Sequence, residues 1–202
     1  MKINYKELVL EIPRSVYEPS EDSFMLAEAV GMCAKGKSVL EIGCGSGMAS
    51  LNAAKNGAIE VFGVDISPEA VACANKNAKL NKLSNALFVV SDLFGNILKN
   101  KKFDVILFNP PYLPTGQIDK LNGPLNHAFD GGKDCRKVLD VFLPQFDKYL
   151  KGGGCLLLVQ SDLNGPIKTK RKLKKLGYEV EVVLKESFFF ESVYIYLAKR
   201  RR

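Results

Sequence analysis

The chain has 202 residues, 47% of them apolar and 25% charged, the balance of a globular domain large enough to bury a core. No apolar run reaches the ~20 residues of a membrane helix. The acidic residues inside MKINYKELVLEIPRS argue against a cleaved secretion signal, so the expected compartment is cytoplasmic. Five scattered cysteines without a Cys-x-x-Cys pair, and one histidine, give poor material for a disulfide framework, a metal centre or a His-driven mechanism. The net charge of +7 is concentrated late, in 168–177 and 198–202. Such runs are solvated faces and chain ends, or contacts to RNA.

In chain order, an N-terminal arm (1–16) precedes a helix over 23–34, with Ser23 or Asp22 as its cap. A strand (37–42) and a helix (46–56) stopped by Gly57 follow. After a strand at 60–65, Ser67 caps and Pro68 opens a helix over 68–81. Strands fall at 86–90 and 103–108, and a helix kinked by Pro144 at 136–150. A strand (154–160), a helix (165–177) and two strands (178–187 and 189–199) complete the chain. The last two have no helix between them and pair antiparallel. Continuous apolar strands separated by helices predict one doubly wound α/β domain over 1–202. Its seven-stranded sheet is mostly parallel, with an antiparallel C-terminal strand.

Ligands of such sheets sit at the carboxyl ends of the strands. The first end reads EIGCGSG, with Glu41, Gly43, Gly45 and Gly47. Three glycines suit a ligand-binding turn, but Met48 stands where a dinucleotide fingerprint needs its third glycine. Asp65, at the second end, suits the two hydroxyls of a ribose. Asp92, at the third, suits an adenine amino group or a helix cap. The three ends together describe an adenosine ligand without a pyrophosphate. The fourth end reads FDVILFNPPYLP. The Asn109 side-chain carbonyl and the Pro110 backbone carbonyl are two acceptors for one –NH₂ group. Pro110 and Pro111 restrict the backbone around them, and Tyr112 offers a face for a planar group or a cation.

NPPY behind a glycine-rich loop resembles class I S-adenosylmethionine-dependent methyltransferases that act on planar nitrogens. VYEPSEDSFMLAEAV, LEIGCGSG, DISPEAV, FNPPYLP and AFDGGKDCRKVLD more closely resemble the HemK-type release-factor glutamine N5-methyltransferases, from about Tyr17 onward. The resemblance implies a Rossmann-like methyltransferase fold and S-adenosylmethionine as cofactor. It implies that Ser23, Glu41, Gly43, Gly45, Asp65, Asp92, Leu93 and Asn109 bind that cofactor. Asn109, Pro110, Pro111 and Tyr112 would hold the substrate, with Asn109, Pro110 and Tyr112 catalytic and no metal. The implied target is the glutamine of Gly-Gly-Gln in a class I peptide chain release factor. The helical domain that precedes bacterial members is not expected here, as in the short archaeal and eukaryotic members. Cys135 stands where many members have glycine.

Leu113–Asp134 lacks periodicity and follows NPPY directly, which predicts a substrate-recognition loop holding a non-catalytic His127. Strand 86–90 is wholly apolar and lies at a sheet edge in this fold, open to a partner's strand. By resemblance the partner is a small zinc-binding activator protein, and Phe88→Lys would block it. An RNA or DNA amino-methyltransferase shares NPPY and would use the basic tail. An NAD-dependent oxidoreductase and a non-catalytic binding subunit are the remaining readings.

Overall fold

A computed structural model describes residues 1–114, 126–189 and 191–201. The N-terminal arm forms an antiparallel hairpin, β1 (Lys2–Tyr5) with β2 (Leu8–Glu11). Helix α1 (Glu21–Gly31) leads to β3 (Ser38–Ile42), which is buried at every residue. Then come α2 (Met48–Lys55), β4 (Glu60–Asp65), α3 (Pro68–Leu80), β5 (Ala86–Val90) and β6 (Phe103–Phe108). The short helices α4 (Asn126–Phe129) and α5 (Lys137–Phe142) precede β7 (Leu150–Ser161). Helix α6 (Pro166–Lys175), β8 (Tyr178–Ser187) and β9 (Ser192–Arg200) end the fold.

The main sheet has seven strands in the order β5-β4-β3-β6-β7-β9-β8. The first five are mutually parallel, and β9 runs antiparallel to both β7 and β8. The hairpin β8–β9 therefore folds back to place the last strand inside the sheet. Alternate side chains of each buried strand feed two cores. Val39, Val105 and Leu107 pack with α1, α2 and α3 on one face. Leu40, Ile106, Phe108, Phe142 and Phe146 fill the other. The strand order turns outward in both directions from β3 and β6, and a crevice opens at their carboxyl ends, as such a reversal requires.

Three details depart from the sequence reading. Helix α1 starts at Glu21 behind Ser20, so neither Asp22 nor Ser23 is its cap. The helix expected over 136–150 stops at Phe142. Pro144, with no N–H to donate, separates it from a 3₁₀ turn at Phe146–Tyr149, and Leu150 already belongs to β7. The arm is a docked element. Asn81 accepts from the Val9 N–H and donates to the Val9 carbonyl, while Asn77 accepts from the Glu11 N–H. Two asparagines one helical turn apart thus serve β2 as a substitute for a neighbouring strand.

Strand β5 is the sheet edge, as expected. Phe88, however, points inward and is 2% exposed. It fills space left by two glycines: a Cβ on Gly63 would lie 2.4 Å from its ring, and one on Gly47 3.3 Å. Phe88→Lys would therefore damage the core. Leu87 and Val90 are the exposed apolar residues of this strand.

Candidate active site

A cavity of about 410 Å³ lies at the carboxyl ends of β3, β4, β5 and β6. Glu41, Gly43 and Gly45 line it from β3, Asp65 from β4, and Asp92 and Leu93 from β5. Asn109, Pro110, Pro111 and Tyr112 line it from β6, and Ser23 from α1. Gly47 is not on its wall. At φ +82° it opens α2 and lets Ala74 and Phe88 approach.

Several of these residues build the cavity as well as line it. Asp65 accepts from the Gly45 N–H through Oδ2 and from the Ser67 N–H through Oδ1, both at 2.9 Å. It thereby ties the glycine turn to the start of α3, where Ser67 caps the helix by accepting from Ala70. Glu41 Oε2 accepts from the N–H of Ser50 at 2.9 Å and from its hydroxyl, which satisfies an open donor in the first turn of α2. Burial, reinforced by the charge of Asp65, pushes the Glu41 carboxyl up to about 8. Leu93 is held at φ +46°, a left-handed conformation that a leucine adopts only when its surroundings impose it. The Asp92 side chain is exposed at the cavity rim.

The residue that sequence reasoning missed as a site residue is Asp22. It is 4% exposed. Its Oδ2 accepts from Asn109 Nδ2 at 2.9 Å and from the Tyr112 hydroxyl at 3.0 Å. Its Oδ1 accepts from the Ser23 N–H at 2.6 Å and from the Ser20 hydroxyl at 2.9 Å. Asn109 Oδ1 is buried and bonded to nothing among the described residues. Burial, and next the negative charge of Asp22, push the Tyr17 and Tyr112 hydroxyls above the ordinary tyrosine range. Both therefore remain neutral donors. Tyr17 meets Phe129 edge-on at 5.2 Å and narrows the cavity wall on that side. The only sequence signal for Asp22 was its place in YEPSED, where an acid near a helix start reads as a cap.

A family model described as a methyltransferase domain matches residues 34–189. A Methanocaldococcus jannaschii protein named as a protein N5-glutamine methyltransferase is 47% identical over 200 residues, covering 99% of this chain and all of the relative. Methyltransferase HEMK2 of Homo sapiens is 33% identical over 172 residues, covering 81% of this chain and 80% of its own. The chain belongs to the HemK-type glutamine N5-methyltransferase family. The solved Mtq2–Trm112 complex of E. cuniculi, described as methylating the eRF1 translation termination factor, shares its fold. The TM-score is 0.72 at 25% identity, over 93% of this chain and 99% of that one.

The departure of this chain from the HemK-type pattern at Cys135 has a local explanation. Cys135 adopts φ +58°, a conformation natural to glycine, and its side chain is buried. The turn it closes supports the segment after NPPY. Leu113 donates to the Phe129 carbonyl and accepts from the Gly131 N–H. A Cβ on Gly131 would lie 3.0 Å from the Tyr112 Cα. Segment 115–125 and the His127 side chain lie outside the described residues, so the expectations for them stay with the sequence.

Proposed function

We propose that this HemK-type chain transfers the methyl group of S-adenosylmethionine to the amide nitrogen of a protein glutamine, the Gly-Gly-Gln glutamine of a class I peptide chain release factor. One observation carries the reading: Asn109 offers a buried, unbonded carbonyl oxygen at the end of β6. An acceptor held there needs a donor, and a primary amide brings two N–H bonds. The cavity fits the cofactor through its acceptors. Asp65 takes the ribose hydroxyls and Asp92 the adenine amino group. Leu93 supplies an apolar wall, and the turn at Gly43 and Gly45, with Glu41 and Ser23, encloses the remainder.

Bound S-adenosylmethionine supplies a sulfonium methyl, an electrophile strong enough for an amide nitrogen. The rest is the work of the chain's own residues. Asn109 Oδ1 and the Pro110 carbonyl accept the two amide N–H bonds and fix the nitrogen in place; orientation of this kind is worth up to ~7–11 kcal/mol at its limit. The same two dipoles face the positive charge that would develop on nitrogen as its bond to the methyl carbon forms, while the carbon–sulfur bond breaks and its electron pair leaves with sulfur as a neutral thioether. The surplus proton leaves to water after the transfer, so the chain needs no general base. Tyr112, whose hydroxyl is committed to Asp22, presents its ring beside the amide.

The test is incubation with methyl-labelled S-adenosylmethionine and either a class I release factor or RNA. Label should appear in the Gly-Gly-Gln peptide and disappear when that glutamine is replaced by alanine. Label in RNA alone overturns the reading in favour of a nucleic-acid amino-methyltransferase.

A small partner protein, of the kind that accompanies Mtq2, docks on β5. The pairing Val61 N–H to Asn85 carbonyl and Ser91 N–H to Asp65 carbonyl turns the backbone groups of Ala86, Phe88 and Val90 outward. Two of those carbonyls are covered by side-chain amides: Phe88 accepts from Asn75 at 2.9 Å and Val90 from Asn96 at 2.8 Å. A partner strand takes the place of these amides, which otherwise blunt the edge.

A further inference from the structure

We infer that Asp22 is a positioning residue that decides which end of the Asn109 amide faces the substrate. The inference rests on the amide-methylation reading above and concerns how its specificity is set. A side-chain amide has a donor end and an acceptor end of nearly identical shape, and the backbone alone does not choose between them. Presented the wrong way round, Asn109 would point N–H bonds at the N–H bonds of its substrate, and no transfer geometry would form.

The surroundings of Asp22 remove that choice. An ionised carboxylate accepts and cannot donate. Oδ1 is taken by the Ser23 N–H and by the hydroxyls of Ser20 and Ser23. Oδ2 already receives the Tyr112 hydroxyl, and it lies 2.9 Å from the Asn109 side chain. Only the Nδ2 end of Asn109 can face such a group favourably. Its Oδ1 is then the end left unbonded. Asp22 sits in the first turn of α1, where the open N–H groups favour negative charge. One buried carboxylate thus converts a two-way amide into a fixed acceptor. The site selects an –NH₂ group, and a glutamate at the target position, with acceptor oxygens only, is rejected.

An exchange of the two side chains tests this. Asp22→Asn places N–H bonds against the donors Ser20 and Ser23 or against Asn109. Asn109→Asp places two carboxylates within 3 Å. Each single variant should lower kcat by about 100-fold, the scale of a misplaced reactive group, a larger factor than its change in S-adenosylmethionine Kd. The double variant restores a donor at 22 facing an acceptor at 109, and the second oxygen of that new carboxylate faces the substrate. Its kcat should return to within about 10-fold of wild type. Losses that simply multiply would overturn the inference, because a merely structural Asp22 predicts no rescue.

If a variant does not fold, wild-type protein labelled with ¹⁵N-asparagine decides. The Asn109 side-chain amide protons should exchange at least about 100-fold more slowly than those of free asparagine. Exchange at the free rate overturns the assignment. The outcomes stay separable from those of the function itself. A wild type that methylates glutamine while the cycle is additive sinks only the role of Asp22. A wild type that labels RNA alone sinks the glutamine reading, and the cycle can still be run on that substrate.

Discussion

Glu41 shows how much one buried carboxyl can shape behaviour. In the folded chain it holds its proton until about pH 8, against an ordinary value of 4.5. Below pH 4.5 the folded and unfolded states both bind the proton. Between pH 4.5 and 8 only the unfolded state releases it, so stability falls as pH rises through that window and then levels off. Glu41→Gln keeps an acceptor for Ser50 and cannot ionise. Its melting temperature should match wild type near pH 4.5 and exceed it increasingly toward pH 8, where the stability difference is on the order of a few kcal/mol. A constant difference across that range would show that Glu41 is already ionised in the fold. A cationic ligand in the cavity favours the ionised form, so binding and proton release at Glu41 are linked.

At the scale of elements, the turn Gly131–Cys135 supports the segment after NPPY through Leu113 and Tyr112. A cysteine at φ +58° costs on the order of 1 kcal/mol in backbone strain. Its buried side chain returns a similar amount through packing. Cys135→Gly should therefore leave the melting temperature within about 3 °C of wild type. Cys135→Val puts a β-branched residue into the left-handed region and should lower it by more than about 5 °C. Thermal melts of the two variants check this. Equal effects would show that packing, and not the backbone, governs the turn. Pro144 acts in the same way on α5: the apolar periodicity across 136–150 continues, but the chain cannot supply an N–H at residue 144, and the helix ends.

For the whole molecule, the exposed edge matters most. Leu87 is 54% exposed on β5 and lines no part of the cavity. Leu87→Lys should leave the melting temperature and S-adenosylmethionine binding of the isolated chain unchanged, and weaken a Trm112-type partner by at least about 10-fold. Calorimetric titration of the two proteins is the check. Undiminished affinity would move the partner off this strand.

The sequence by itself determined the alternation of strand and helix and the chemistry at each strand end, because apolar runs, caps and glycine turns act over a few residues. Glu41, Asp65, Asp92 and Asn109 were legible as wall residues for that reason. Contacts between distant segments were not legible. Asp22 and Asn109 are 87 residues apart, and no local pattern states that they touch. The inward direction of Phe88 depends on two glycines in other elements, Gly47 and Gly63. The placing of β9 between β7 and β8, and the docking of the arm on Asn77 and Asn81, were likewise decided only by the tertiary structure. Local propensity gives each segment its form, but packing and hydrogen bonding across the fold choose which end of a side chain faces which neighbour.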